Sequence, residues 1–141
     1  MQMFEVRKDI NQISGNYAGD YPNLAMSGML KLKIDKDKLI FKQLWKTYHK
    51  LDLKNITDVQ LKTEEEISKD VTLTRLLAFG IFAFALKKKR TNQRYFIIIS
   101  TKEDGFDNDF VMEIDTAKGF GLPMAQGFVK TLRKEVIKYR D

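Results

Sequence analysis

The 141 residues carry 25 Lys and Arg against 19 Asp and Glu, giving a net charge of +6, with 43% hydrophobic and 31% charged residues. That is the composition of one ordinary folded domain with a core of its own, not of a disordered tail. Cysteine is absent, which excludes disulfides, thiolate catalysis and cysteine zinc sites, and the basic excess is milder than dedicated nucleic-acid binders show.

Along the chain, residues 1–27 offer one candidate strand, Met3 to Arg7, and then a loop rich in Gly, Asn and Tyr. The first residues lack an apolar run of signal-peptide length, so a cytoplasmic location is expected, with attachment at the inner membrane face as its variant. From Gly28 the pattern turns to period two. Leu30, Leu32 and Ile34 point one way and Lys31 and Lys33 the other. Asp35 to Lys38 form a polar turn, and Leu39 to Trp45 is the return strand. Tyr48 to Leu53 and Thr57 to Thr63 continue the alternation, with Leu51, Leu53, Val59 and Leu61 inward.

Val71 to Leu86 is the most apolar stretch. Its uninterrupted part, residues 76–86, is well short of the roughly 20 residues a membrane-spanning helix needs, and it ends in Lys87-Lys88-Lys89-Arg90. It divides better into a short helix near 71–79, stopped by Gly80, and a strand from Ile81 to Leu86 with small residues on one face. Asp70 and Thr72 both suit the helix cap. Tyr95 to Ile99 is apolar on both faces and therefore a central strand. Phe110, Met112 and Ile114 form a further alternating set. The period then changes: after Pro123, the residues Met124, Phe128, Leu132, Val136 and Tyr139 recur at spacings of three and four, predicting an amphipathic helix over 123–140.

Seven strands followed by one closing helix resembles the order of a pleckstrin-homology-like domain. The string Val71-Thr72-Leu73-Thr74-Arg75-Leu76-Leu77-Ala78-Phe79-Gly80 with Lys87-Lys88-Lys89, together with Gly28 and Ile56-Thr57-Asp58-Val59, resembles bacterial members of that group, GRAM-like domains of unassigned function. The resemblance implies a mainly β fold, a barrel of seven antiparallel strands in two near-orthogonal sheets, across a single domain spanning 1–141. It implies no particular ligand, because one fold serves many functions.

No catalytic set is evident. His49 is the only histidine and shares a strand face with Leu51 and Leu53, the place of a packed histidine bonded to a neighbour. Glu64, Glu65 and Glu66 are consecutive and point apart. Asp104, Asp107 and Asp109 lack the spacing of a calcium loop and read as an acidic hairpin tip. Gly119 to Pro123 lacks the residues of a phosphate loop. The expected function is therefore a non-enzymatic binding or scaffolding module with no cofactor and no metal, acting on protein, a second copy of itself included. The alternative is attachment to anionic lipid through the basic cluster Lys87, Lys88, Lys89, Arg90 and Arg94. A weaker basic candidate is the first hairpin, with Lys31, Lys33, Lys36, Lys38 and Lys42, where Asp35 and Asp37 intervene. Nucleic acid is disfavoured, because few aromatic platforms lie beside the cations.

Overall fold

The structure, a computed structural model, describes residues 10–69 apart from Ala18, Asp20 and Asn23, and then 94–114 and 121–140. Seven strands are present among these: β1 (Gln12–Tyr17), β2 (Gly28–Asp35), β3 (Lys38–Gln43), β4 (Lys46–Asp52), β5 (Ile56–Thr63), β6 (Tyr95–Glu103) and β7 (Phe106–Ile114). A one-turn 3-10 segment, Leu53–Asn55, joins β4 to β5; a short helix α1 (Glu64–Lys69) follows β5, and α2 (Gly121–Tyr139) closes the order. Every pairing is antiparallel, and hydrogen bonding is continuous through all seven strands in the order β4-β3-β2-β1-β7-β6-β5.

The number of strands matches the expectation, but the membership differs. The segment read as a loop is β1, Gln12–Tyr17. Ile13, Gly15 and Tyr17 turn inward in strict alternation, and Gly15 is there because a partner comes close, not because the chain turns. A Cβ at Gly15 would lie 2.4 Å from the Glu113 carbonyl oxygen of β7. Met3 to Arg7, the helix near 71–79 and the strand Ile81–Leu86 lie outside the described residues. Leu44 and Trp45, read as the end of a strand, are instead the turn between β3 and β4.

One face of the sheet carries the core. Leu30, Leu32, Leu39, Phe41, Leu51, Val59, Ile97, Ile99, Phe110 and Met112 converge there with Ala125, Phe128, Val129, Leu132 and Val136 of α2. The helix begins at Gly121, two residues before the expected start, with Pro123 in its first turn. Phe128, Leu132 and Val136 of the expected stripe are buried and Tyr139 packs against the core, but at its start Ala125 is fully buried while Met124 is 39% exposed. Gly127 lets the helix approach Ile10, whose side-chain end would lie 2.6 Å from an added Cβ. Phe96, Ile98 and Val111 point to the other side of β6 and β7 and are also buried, as the doubly apolar pattern of Tyr95 to Ile99 required.

An aromatic group ties the connection between β1 and β2 to the core. Phe110 stacks on Tyr17 with ring centroids 5.2 Å apart and meets Phe41 edge-on at 5.1 Å. The Tyr17 hydroxyl accepts from the Tyr21 backbone N–H at 2.6 Å. Tyr21 is buried, and its hydroxyl lies 2.8 Å from Thr101 Oγ1 and donates to Glu103 Oε1 at 2.7 Å. Burial first, and the neighbouring Glu103 charge after it, push the Tyr21 hydroxyl far above its ordinary range against an opposing pull from Thr101.

Two expectations follow. Gly15→Ala should destabilise by about 1–3 kcal/mol, the usual cost of overpacking, because its obstacle is backbone. Gly127→Ala meets only the end of a flexible Ile10 side chain, and the gain in helix propensity should keep it within about 1 kcal/mol of the parent; denaturant titration of both variants checks the contrast. For Tyr21, the folded-state value is raised above the unfolded one, so its contribution is whole below about pH 10 and lost as pH rises beyond it. The melting temperature of the parent should exceed that of Tyr21→Phe by a constant margin up to that pH, and the margin should shrink above it.

Candidate interaction surfaces

The residues singled out in the sequence separate into three groups. Lys87, Lys88, Lys89 and Arg90 lie outside the described residues. Arg94 belongs to the interior, not to a surface cluster: it is 6% exposed. Its Nε donates to Glu113 Oε2 at 2.7 Å, and its Nη2 donates to Glu113 Oε1, making a two-pronged pair across β6 and β7. Nη1 faces Glu64 Oε2 at 3.9 Å, and the guanidinium also lies over the Phe96 ring. The planar fork that suits Arg to an anionic surface is thus occupied by a carboxylate of the same chain.

The five lysines of the first hairpin divide by position along it. Lys36 occupies the β2–β3 turn with φ 57°, and Lys38 pairs with Asp52 and lies 4.0 Å from Asp37. Lys38 is thus engaged with Asp37 and Asp52 at one end of the sheet, where Asp35 stands across from it in the register. Lys31, Lys33 and Lys42 instead occupy the outward face, opposite the buried Leu30, Leu32 and Phe41. Register places Lys31 directly across from Lys42, and Ile40 between Lys33 and Lys50. Lys46 follows the turn and lies over the Tyr48 ring at 4.7 Å. Lys50 faces outward as the alternation of Tyr48 to Leu53 implies, whereas the register shift between Phe41 and Lys42 sets Lys46 across from Gln43.

The connections β1–β2, β3–β4 and β6–β7 all leave from the same end, as the antiparallel order demands. Two of these carry apolar side chains into solvent. Leu44 and Trp45, in the β3–β4 turn, are 79% and 88% exposed. Phe106, beside the turn at Asp104 and Gly105, is 71% exposed. Leu44 has φ 57°, a conformation that costs a side-chain-bearing residue about 1–2 kcal/mol and is ordinarily given to Gly or Asn.

A third surface is a groove of about 210 Å³ between β5 and α2. Ile56, Val59 and Val136 form its buried floor, and Thr57, Asp58, Arg133, Ile137 and Arg140 form its walls. Arg133 Nε donates to the Val59 carbonyl at 2.8 Å, and Arg140 Nη2 reaches the Ile56 carbonyl at 3.5 Å. Ile137 stands 68% exposed on the rim.

His49 packs against Phe41 and Tyr21 at ring distances of 5.4 and 6.1 Å, as its strand position implied. Its Nε2 is buried without a hydrogen-bond partner, contrary to the expected bond to a neighbour. Asp109 accepts from Ser100 Oγ at 2.7 Å, and among the described residues no three metal-ligating side chains converge. The consecutive glutamates begin α1, where Glu66 and Thr63 cap each other reciprocally: Thr63 N–H donates to Glu66 Oε1 at 2.8 Å, and Glu66 N–H donates to Thr63 Oγ1 at 3.1 Å. That backbone donation holds the Glu66 carboxyl below its ordinary range. No helix among the described residues is long and apolar enough to cross a membrane.

Arg94→Met should destabilise the fold by about 3–5 kcal/mol, since it leaves Glu113 without its partner in a largely dry setting. Arg94→Met combined with Glu113→Leu should recover much of the loss, and chemical denaturation of the single and double variants measures the coupling. Searches against protein-family models, curated proteins and solved structures found no match to this chain.

Proposed function

We propose that this chain is a non-enzymatic binding module of pleckstrin-homology-like architecture that works through protein contacts, and that one of its partners is a second copy of itself. The strand order with a closing helix supports the architecture. The observation that carries the self-association is a match between two surfaces of the same molecule. Phe106 projects beside Glu103, Asp104 and Asp107, giving an apolar side chain in an acidic setting. The groove between β5 and α2 offers the converse, an apolar floor and the exposed Ile137 between Arg133 and Arg140.

Insertion of the β6–β7 tip of one copy into the groove of the next buries Phe106 and Ile137 together and sets carboxylates against guanidinium groups. Such complementarity directs orientation and encounter more than it adds raw affinity. The two surfaces are different parts of the molecule, so the contact is head-to-tail, and it builds a ring or a filament according to whether the rotation closes.

The mass in solution should therefore rise above that of one chain with increasing concentration, and less steeply at high salt, where exposed charges are screened. Sedimentation velocity across a concentration series makes the measurement. Phe106→Ser should hold the protein at one chain, and Asp107→Lys with Asp104→Lys should do likewise. A strict monomer at every concentration sinks self-association, and association indifferent to both variants sinks the tip-in-groove contact.

A further inference from the structure

We infer that the outward face of β2, β3 and β4, led by the Leu44–Trp45 turn, is a docking surface for the anionic face of a phospholipid bilayer. Lys31, Lys33, Lys42 and Lys50 occupy this face, Lys46 stands beside the turn across from Gln43, and none of the five forms an ion pair with a described residue. The carboxylates of these three strands, Asp35 and Asp52, stand at the opposite end, beside Lys38. Lys31 and Lys42 are direct cross-strand neighbours, an arrangement of like charges that disfavours the sheet itself. A negatively charged surface relieves that repulsion, so charge complementarity identifies the partner.

The turn sharpens the identification. Leu44 adopts a left-handed backbone conformation, and it and Trp45 are exposed at 79% and 88%, so neither gains from core packing. A glycine at position 44 would suit the backbone, and a polar residue at either position would suit water. The pair does suit the boundary between headgroups and acyl chains, where indole rings concentrate and small apolar wedges insert. Lysines directly behind such a wedge lie at headgroup depth. A nucleobase platform would instead call for aromatic rings spread along the lysine face, whereas Tyr48 of β4 packs against the core. The acidic β6–β7 tip is separated from β3 and β4 by β2 and β1 in the strand order, so the molecule meets the bilayer with its β2–β4 side. The inference is independent of the groove and of self-association.

Trp45 is the single tryptophan of the chain, so its fluorescence reports the turn alone. Vesicles of phosphatidylcholine mixed with phosphatidylglycerol should shift its emission to the blue and carry the protein down on sedimentation. Vesicles of phosphatidylcholine alone should do neither, and added salt should release the protein. Lys31→Gln and Lys42→Gln should each weaken vesicle affinity about fivefold. Leu44→Gly relaxes the backbone, so it should fold at least as well as the parent while binding more weakly. Trp45→Ser should sediment poorly with vesicles, and Phe106→Ser should sediment normally. The inference is overturned by an unshifted emission with anionic vesicles, by equal binding to both vesicle types, by undiminished binding of Leu44→Gly and the lysine variants, or by a response to single-stranded oligonucleotide alone.

Discussion

The whole arrangement depends on a narrow seam. β4, β3, β2 and β1 form one run of hairpins, and β7, β6 and β5 form another; what joins them is the pairing of β1 with β7 over Gly15–Ile114, Asn16–Glu113 and Tyr17–Met112. At Gly15 the two backbones come so near that no Cβ fits. On the core side, Tyr17 carries the seam inward by stacking on Phe110, which in turn meets Phe41 of β3. On the other side, Glu113 of β7 holds Arg94 and so fixes the start of β6. One three-pair contact thus sets the relation between the lysine-bearing hairpins and the strand that forms a wall of the groove.

The helix and the loops take their positions from that seam. α2 lies across the core face, with Phe128 and Leu132 fully buried, and Arg133 within it and Arg140 just beyond its end reach back to β5. The β1–β2 connection is held by the Tyr17 and Tyr21 hydroxyls, both satisfied within the fold. Buried hydroxyls left unpaired carry a heavy penalty, so these bonds define one conformation of the connection and not merely a tolerable one. The end of the sheet that carries Leu44, Trp45 and Phe106 is shared by three connections, with apolar side chains presented at two of them.

Much of the fold was legible in the residues. Alternation in Leu30–Leu32–Ile34 and in Phe110–Met112–Ile114, and the two-sided run of Tyr95 to Ile99, placed strands where the structure has them, because burial on a pleated sheet imposes period two. β1 was hidden, since the Gly and Asn that mark turns elsewhere serve here in a strand whose neighbour comes close. That closeness arises from β7, a hundred residues further on, and no local pattern records it. The surfaces were less legible still. Arg94 belonged by sequence to a basic run, yet Glu113 claims it through a cross-strand relation that only the register reveals. Lys50 stands near Lys33 only through the pairing that puts Ile40 between them. The exposure of Trp45 was masked by an apolar run that reads equally well as the end of a strand.

Arg133 of α2 and Arg140 just past its end have a consequence for how the protein stays in solution. Among the described residues β5 ends the strand order, and the carbonyls of such a strand are a template on which other chains can extend a sheet. Arg133 and Arg140 occupy the Val59 and Ile56 carbonyls with side chains that carry charge. The C-terminal helix is thus a guard on that edge as well as a lid on the core. Fraying its last turns would bare the backbone of β5 before it exposed much of the apolar interior, so the first hazard of a loosened helix is fibrous growth by strand addition, ahead of unfolding itself.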